Sequence, residues 1–336
     1  MPPAPFDSSP AIHHDRLSGR DVFIAPRRAD RPNDHAAGAA GPCPFCGGNE
    51  HLTAADLVRW PEPTAGSWKA RIVPNRYPVV EPITAGNPDS QTATGQPAAI
   101  IAAHGLHEVV IESPAHVASV LDVPAADWQQ VWKLGQRRLG QLAAAGQFSW
   151  ATIFKNGGLA AGASLEHLHS QLIAIDRVPP TILAKCQQLA AAPTRFAELL
   201  EDAAASDRVV SRRGGLVALV PPAPRQPFEV WLVADSPAAF FHQAAAADVE
   251  AVAELTQCFA AAIERLVPAA SYNWWLHQFP DRAPAELVPL AARWHWHLEI
   301  LPRLAPLAGF ELGTGCHIST MAPATTARLL RETGCW

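Results

Sequence analysis

The chain reads as an α+β fold: a duplicated unit of mainly antiparallel sheet with helices packed on one face. Three observations lead there. Short β-type segments alternate with Ala-rich amphipathic runs in the order strands, helix, strands, helix, strands. The two halves, 1–180 and 181–336, repeat that order with matching punctuation, a repeat far longer than any solenoid unit. And 336 residues, 49% of them hydrophobic and 17% charged, are enough to enclose a sizeable core.

In the first half, KARIVPN (69–75) and HEVVIES (107–113) are rich in Val and Ile and read as strands, the second ending at a Ser-Pro. A long run poor in Gly and Pro, about 125–145, reads as a helix, and WATIFKN (150–156) and HSQLIAI (169–175) as the closing strands. The second half begins with a helical run at 182–205 and repeats the scheme: LVALVPP (216–222), FEVWLVA (228–234), a helix over 236–267, YNWWLHQF (272–279) and HWHLEILP (295–302). A short helix near 323–333 ends the chain. Prolines punctuate these elements at 2–5, 60–66, 178–180 and 220–227. A crevice between halves is the natural place for a ligand.

A formal charge of -5 without any block of Lys or Arg argues against a nucleic-acid surface or an anionic-membrane binder. No stretch approaches the roughly 18–20 apolar residues of a membrane span. The first twenty residues carry neither a basic nor an apolar leader region, so a cytoplasmic location is expected.

Of six cysteines, Cys43 and Cys46 form a C-x2-C knuckle followed by two glycines, while Cys186, Cys258, Cys316 and Cys335 stand alone. In a reducing compartment this is one metal knuckle plus ordinary thiols. Two thiolates supply half of a tetrahedral zinc site, so histidines from elsewhere must complete it. The richest segment is Asn156-Gly-Gly-Leu-Ala-Ala-Gly-Ala-Ser164-Leu-Glu-His167-Leu-His169-Ser-Gln171. On a strand, residues 167, 169 and 171 share a face. The small residues before them let backbone N–H groups approach a phosphate. Four tryptophans in the second half, Trp274, Trp275, Trp294 and Trp296, read as core packing or a subunit interface before a surface for stacking on a base.

HLHSQ with the upstream NGG and GAS, the CPFCGG knuckle and ESPAH resemble the galactose-1-phosphate uridylyltransferase branch of the histidine-triad superfamily. The resemblance runs from about residue 16 to 333 and implies roles. His169 would be the nucleophile that takes a nucleoside monophosphate, with Gln171 bonding its phosphoryl oxygens. Cys43, Cys46, His116 and His167 would hold one structural zinc, which aims His169 through His167. Arg28 and Arg31 of the N-terminal segment, Asn75 of IVPNRYP, Asn156, Ser164 and His297 of the second H-x-H would contact substrate. The implied activity is ping-pong transfer of UMP between hexose 1-phosphates, from UDP-glucose to galactose 1-phosphate, through a nucleotidyl-histidine. Partners would be a nucleotide sugar and a sugar 1-phosphate or phosphate, with the chain paired as a homodimer.

Two departures from the family pattern matter. HLHSQ replaces the commoner HPHGQ, and with GFELGTGCHIST (309–320) is similar to a phosphorylase-like sub-branch that splits ADP-glucose with phosphate. That makes a phosphorylase with the same nucleophile the alternative activity; a silent nucleotide-sugar-binding module is a third reading. Some members carry a second metal on a Glu and three histidines. His277, His295 and His297 are present, but the stretch after Val178-Pro179-Pro180 offers no Glu at the corresponding place. Without a metal, His295 and His297 would brace the crevice and His277 would be a buried structural imidazole.

Overall fold

The computed structural model of the protein describes residues 9–15, 17–31, 41–62, 67–82 and 100–336; the prolines at 2–5 and at 63 lie outside them. Strands β1 (Ala11–Asp15), β2 (Arg20–Ile24) and β5 (Ile100–Ala102) form a small antiparallel sheet. The first-half strands of the main sheet are β3 (Val58–Trp60), β4 (Ala70–Pro74), β6 (Gly105–Ile111), β7 (Trp150–Gly157) and β8 (His169–Ile175), with helix α1 (Ala125–Ala145) between β6 and β7. The second half supplies β9 (Val209–Arg213), β10 (Leu216–Leu219), β11 (Val230–Ala234), β12 (Tyr272–His277) and β13 (His297–Pro302), with α4 (Ala246–Leu266) between β11 and β12.

Across the sheet the order is β3-β4-β6-β8-β7-β12-β13-β11-β10-β9, with antiparallel neighbours throughout. Read from either edge, the sequence of strands is the same, so the duplication is visible as two five-strand runs meeting at β7 and β12. That seam pairs Asn273 with Asn156 and Tyr272 with Gly157. The two halves therefore share one sheet, and the largest apolar cluster draws on both.

Side-chain alternation decides what each face does. Even-numbered Ile72, Val110, Leu172, Ala174, Trp274, Leu298 and Ile300 face α1 and α4, which lie together over the seam, each 21 residues long. Trp128 and Trp132 of α1 pack on Trp274, and Trp274, Trp294 and Trp296 are completely buried, as core residues. Gly135 is what lets α1 lie so close: a Cβ there would come within 2.6 Å of Ile153 Cδ1. The opposite face carries His107, His169 and Gln171 in one half and His277, His297 and Glu299 in the other. One sheet face thus holds two histidine clusters, one per half.

The expected helix at 182–205 is two, α2 (Pro180–Ala191) and α3 (Arg195–Ala205), because Pro193 cannot continue the first. They add a helical layer on the other face of the second half, where Phe196, Leu199 and Leu200 cover Val217, Leu219 and Val233. The expected helix at 236–267 starts only at Ala246; Pro237 and a tight turn at Phe241–Gln243 occupy the earlier residues. Short α5 (Gly309–Thr314) and α6 (Pro323–Glu332) follow the sheet. Among the described residues no helix is long and apolar enough to cross a membrane.

Candidate active site

The knuckle comes first in the chain and sets the rest. Cys43, Cys46, His116 and His167 offer one ligand atom each, all within 4.8 Å of one another. His167 Nδ1 stands 3.5 Å from Cys43 Sγ and 3.6 Å from Cys46 Sγ, and His116 Nδ1 lies 3.4 Å from Cys46 Sγ. With metal–sulfur near 2.3 Å and metal–nitrogen near 2.0–2.1 Å, a tetrahedron has S···N edges of about 3.5 Å, so the spacing fits a four-coordinate metal with no open position. His167 Nε2 donates to the Ser113 carbonyl at 2.9 Å, which leaves Nδ1 as the lone-pair nitrogen facing the sulfurs. Burial, reinforced by neighbouring Cys46, pushes the Cys43 thiol up to about 11, so a cation must displace its proton to bind.

His169 follows two residues later as the first residue of β8. Its Nδ1 donates to the His167 carbonyl at 2.7 Å, so Nε2 carries the lone pair. Burial first, then the positive charges of Lys155 and Arg31, push this imidazole down to about 3. At neutral pH it is an uncharged base. Phe45 of the knuckle packs edge-on against its ring, 5.3 Å between centroids, so the knuckle touches the nucleophile candidate directly as well as through His167.

Two cavities meet at His169. One, about 380 Å³, has apolar walls from Phe45, Val73, Val109 and Leu165, with Arg31, Asn75, Ser164 and Gln171 as its polar groups. Ser164 Oγ is buried there with no partner among the described residues, a donor open to a ligand. The other, about 220 Å³, is lined by Asn156, Gly157, Gly158, Ala163 and Leu165. Gly158 has φ +85°, and a Cβ on it would lie 2.4 Å from Ser271 Oγ, so only glycine closes this loop over the seam. Asn156 Oδ1 accepts from Asn273 Nδ2 at 2.9 Å, held by the second half. Arg28 donates to the Tyr77 carbonyl at 2.8 Å and braces the loop after β4 that carries Asn75.

Of the expected substrate contacts, Arg31, Asn75, Asn156 and Ser164 are therefore brought to His169, and Arg28 stands behind the wall. His297 is the exception. It sits in the second histidine cluster, beside a different cavity formed by α2 and α3, because β13 lies two strands beyond β7 in the sheet.

Three residues of this site gave no signal in the sequence. His107 on β6 accepts from the Val79 N–H at 3.2 Å, so its Nε2–H donates to Gln171 Oε1 at 2.9 Å. That turns the Gln171 amide nitrogen toward the cavity. Beneath the strand, Lys155 and Glu112, each 1% exposed, form an ion pair. Lys155 also donates to the His169 carbonyl at 2.9 Å, and Glu112 accepts from Ser170 Oγ at 2.5 Å.

Burial, aided by Arg28 and Arg31, pushes His107 from 6.5 down to about 4. The unfolded chain binds its proton first as pH falls, so this group's stability is intact above pH 6.5 and is lost progressively down to about pH 4. The loss is about 3 kcal/mol at 1.36 kcal/mol per unit. Urea unfolding at pH 7 and pH 4 should show a drop larger by that order in the wild type than in His107→Asn, whose other buried histidines still titrate; equal drops would disprove it.

The second cluster is organised by Lys185 of α2. Its Nζ lies 2.7 Å from His277 Nδ1, 2.7 Å from His297 Nε2 and 2.5 Å from Glu299 Oε1. Burial alone would raise the Glu299 carboxyl, but the Lys185 ammonium against it holds it well below the usual range.

Comparison with known proteins gives the site its context. The family model for galactose-1-phosphate uridyl transferase, N-terminal domain, matches residues 6–179, and one described only as a domain of unknown function matches 115–332. An ADP-glucose phosphorylase of Arabidopsis thaliana is 31% identical over 97% of this chain and 93% of its own length. A galactose-1-phosphate uridylyltransferase of Thermotoga maritima is 25% identical over 68% of this chain and 74% of its own. The crystal structure of the Arabidopsis thaliana ADP-glucose phosphorylase with bound ADP-glucose superposes with a TM-score of 0.76 at 30% identity, covering 96% of this chain and 99% of that one. Sequence match, shared architecture and the strand-borne His169 agree, and this chain belongs to the galactose-1-phosphate uridyl transferase family, as one of its nucleotidyl-transferring enzymes and phosphorylases.

Proposed function

We propose that the chain is a nucleotide-sugar phosphorylase that converts ADP-glucose and phosphate to ADP and glucose 1-phosphate. The observation that carries the chemistry is the free Nε2 lone pair of an uncharged His169 at the junction of two cavities. The His169 Nε2 pair attacks the α-phosphorus, a P–N bond forms, and the P–O bond to the sugar phosphate breaks, releasing glucose 1-phosphate. A phosphate oxygen then attacks the same phosphorus, the P–N bond breaks, and ADP leaves with the imidazole restored. The apolar cavity suits a nucleoside, and the Asn156–Gly158 wall suits the departing sugar phosphate. Gln171, Ser164 and Arg31 supply donors to the phosphoryl oxygens as charge builds.

The choice of ADP-glucose over UDP-glucose with galactose 1-phosphate is supported by the longer and more similar match to the ADP-glucose phosphorylase. Without phosphate, ADP-glucose should release about one glucose 1-phosphate per enzyme and stop; with phosphate, turnover should continue and yield ADP. Steady turnover that demands galactose 1-phosphate and ignores phosphate would overturn the proposal in favour of UMP transfer.

Zinc suits the Cys2His2 set by donor chemistry, and when bound it supplies a fixed, closed anchor for His167. We expect Cys43→Ser to weaken zinc retention more than about 100-fold, beyond the range of an outer-sphere change. Metal analysis after dialysis against a chelator checks it, and a stoichiometric metal in the variant would refute the ligand assignment.

A further inference from the structure

The second half repeats the H-x-H arrangement of the first in detail. His297 Nδ1 donates to the His295 carbonyl at 2.9 Å, just as His169 does to His167, and His297 likewise opens its strand. In the first half Nε2 is free. In the second, Nε2 accepts a hydrogen bond from Lys185. His277, His297 and Glu299 also place three donor atoms within 4.8 Å of each other, all buried, in the manner of a metal centre. The space a metal ion would take is filled by the lysine ammonium, whose three N–H donors match the three acceptors one for one. A divalent ion and this ammonium cannot share the same lone pairs, so these residues as they stand do not fit the second metal found in some members of the family.

We propose that Lys185 is the resident cation of a centre laid out for a metal: it excludes the ion, seals His297 against acting as a second nucleophile, and leaves the Cys2His2 set as the one metal-binding centre among the described residues. Charge balance supports this. Glu299 also accepts from Arg225 Nη2 at 2.6 Å, and Arg225 pairs with buried Glu229 through Nε at 3.1 Å. Two carboxylates face two cations, Lys185 and Arg225, and the cluster is neutral. A divalent ion added to it would leave two uncompensated charges away from water. Lys185→Glu would turn the balance to minus two and supply a fourth donor from the same helix position, which a divalent ion would neutralise. The indole of Trp231, 5.0 Å from Nζ, completes a cage better suited to an ammonium than to a hydrated ion.

The test is metal content of the full-length protein, zinc per chain after gel filtration, in wild type, His277→Ala, Lys185→Glu and the double variant. Wild type and His277→Ala should hold the same amount, Lys185→Glu one equivalent more, and the double variant should return to the wild-type value. Should Lys185→Glu fail to fold, Lys185→Ala is melted with and without added Co²⁺; a rise in Tm absent from the wild type is the expected result. Loss of an equivalent from the wild type on His277→Ala overturns the proposal, as does a folded lysine variant that takes up no metal. Both outcomes are independent of which nucleotide sugar the enzyme uses.

Discussion

His169→Asn should lower kcat by about four orders of magnitude or more, the scale on which deleting a covalent nucleophile acts. Every other group in the two cavities keeps its place: Gln171 is still oriented by His107, Ser164 and Arg31 still face the phosphoryl position, and an asparagine amide can still reach the His167 carbonyl. Nucleotide-sugar affinity should therefore stay within a few-fold of the wild type, while the burst of glucose 1-phosphate disappears. With ADP-glucose labelled at the α-phosphate, wild-type protein quenched without phosphate should carry acid-labile label and the variant none. Label that persists in the variant would move the nucleophile elsewhere, and label absent from an active wild type would argue for direct displacement.

The His169 prediction rests on a site much of which could be read in the sequence, for a physical reason. A strand projects alternate residues to one side, so His167-Leu-His169-Ser-Gln171 announces its shared face, and a C-x2-C turn announces converging sulfurs wherever it occurs. Long Ala-rich helices between β-branched runs likewise announce the α1 and α4 layer. What stayed hidden is the consequence of strand order. His107 meets Gln171 only because β6 pairs with β8, and that pairing spans 64 residues of chain. In the sequence Lys185 is a helical lysine after a Val-Pro-Pro, and Glu299 one of the alternating residues of a strand. Neither shows its partner until α2 is laid across β12 and β13. His297 shows the limit of reading by analogy: the motif repeats, but the mirrored strand order carries it to a separate cavity.

Lys155 is the strongest instance of a group whose weight lies wholly in three dimensions. Within WATIFKN it would pass for a solvated lysine, yet it is 1% exposed, paired with Glu112 beneath the strand that carries His169 and flanked by the rings of Trp128 and Trp274 at 5.8 and 5.4 Å. Removing one member of such a pair strands the other charge away from water, so Lys155→Met should cost about 3–5 kcal/mol of stability. Lys155→Met combined with Glu112→Gln removes both charges and should recover part of that loss, because Gln can still accept from Ser170. Denaturant titration of the wild type and the two variants checks the order. A single variant that loses less than about 1 kcal/mol would mean that the pair is solvated in solution. The same lysine anchors the His169 carbonyl, which makes it a positioning residue. The double variant, stable enough to assay, should therefore lose kcat while nucleotide-sugar affinity holds. A parallel loss of both would reduce Lys155 to a purely structural role.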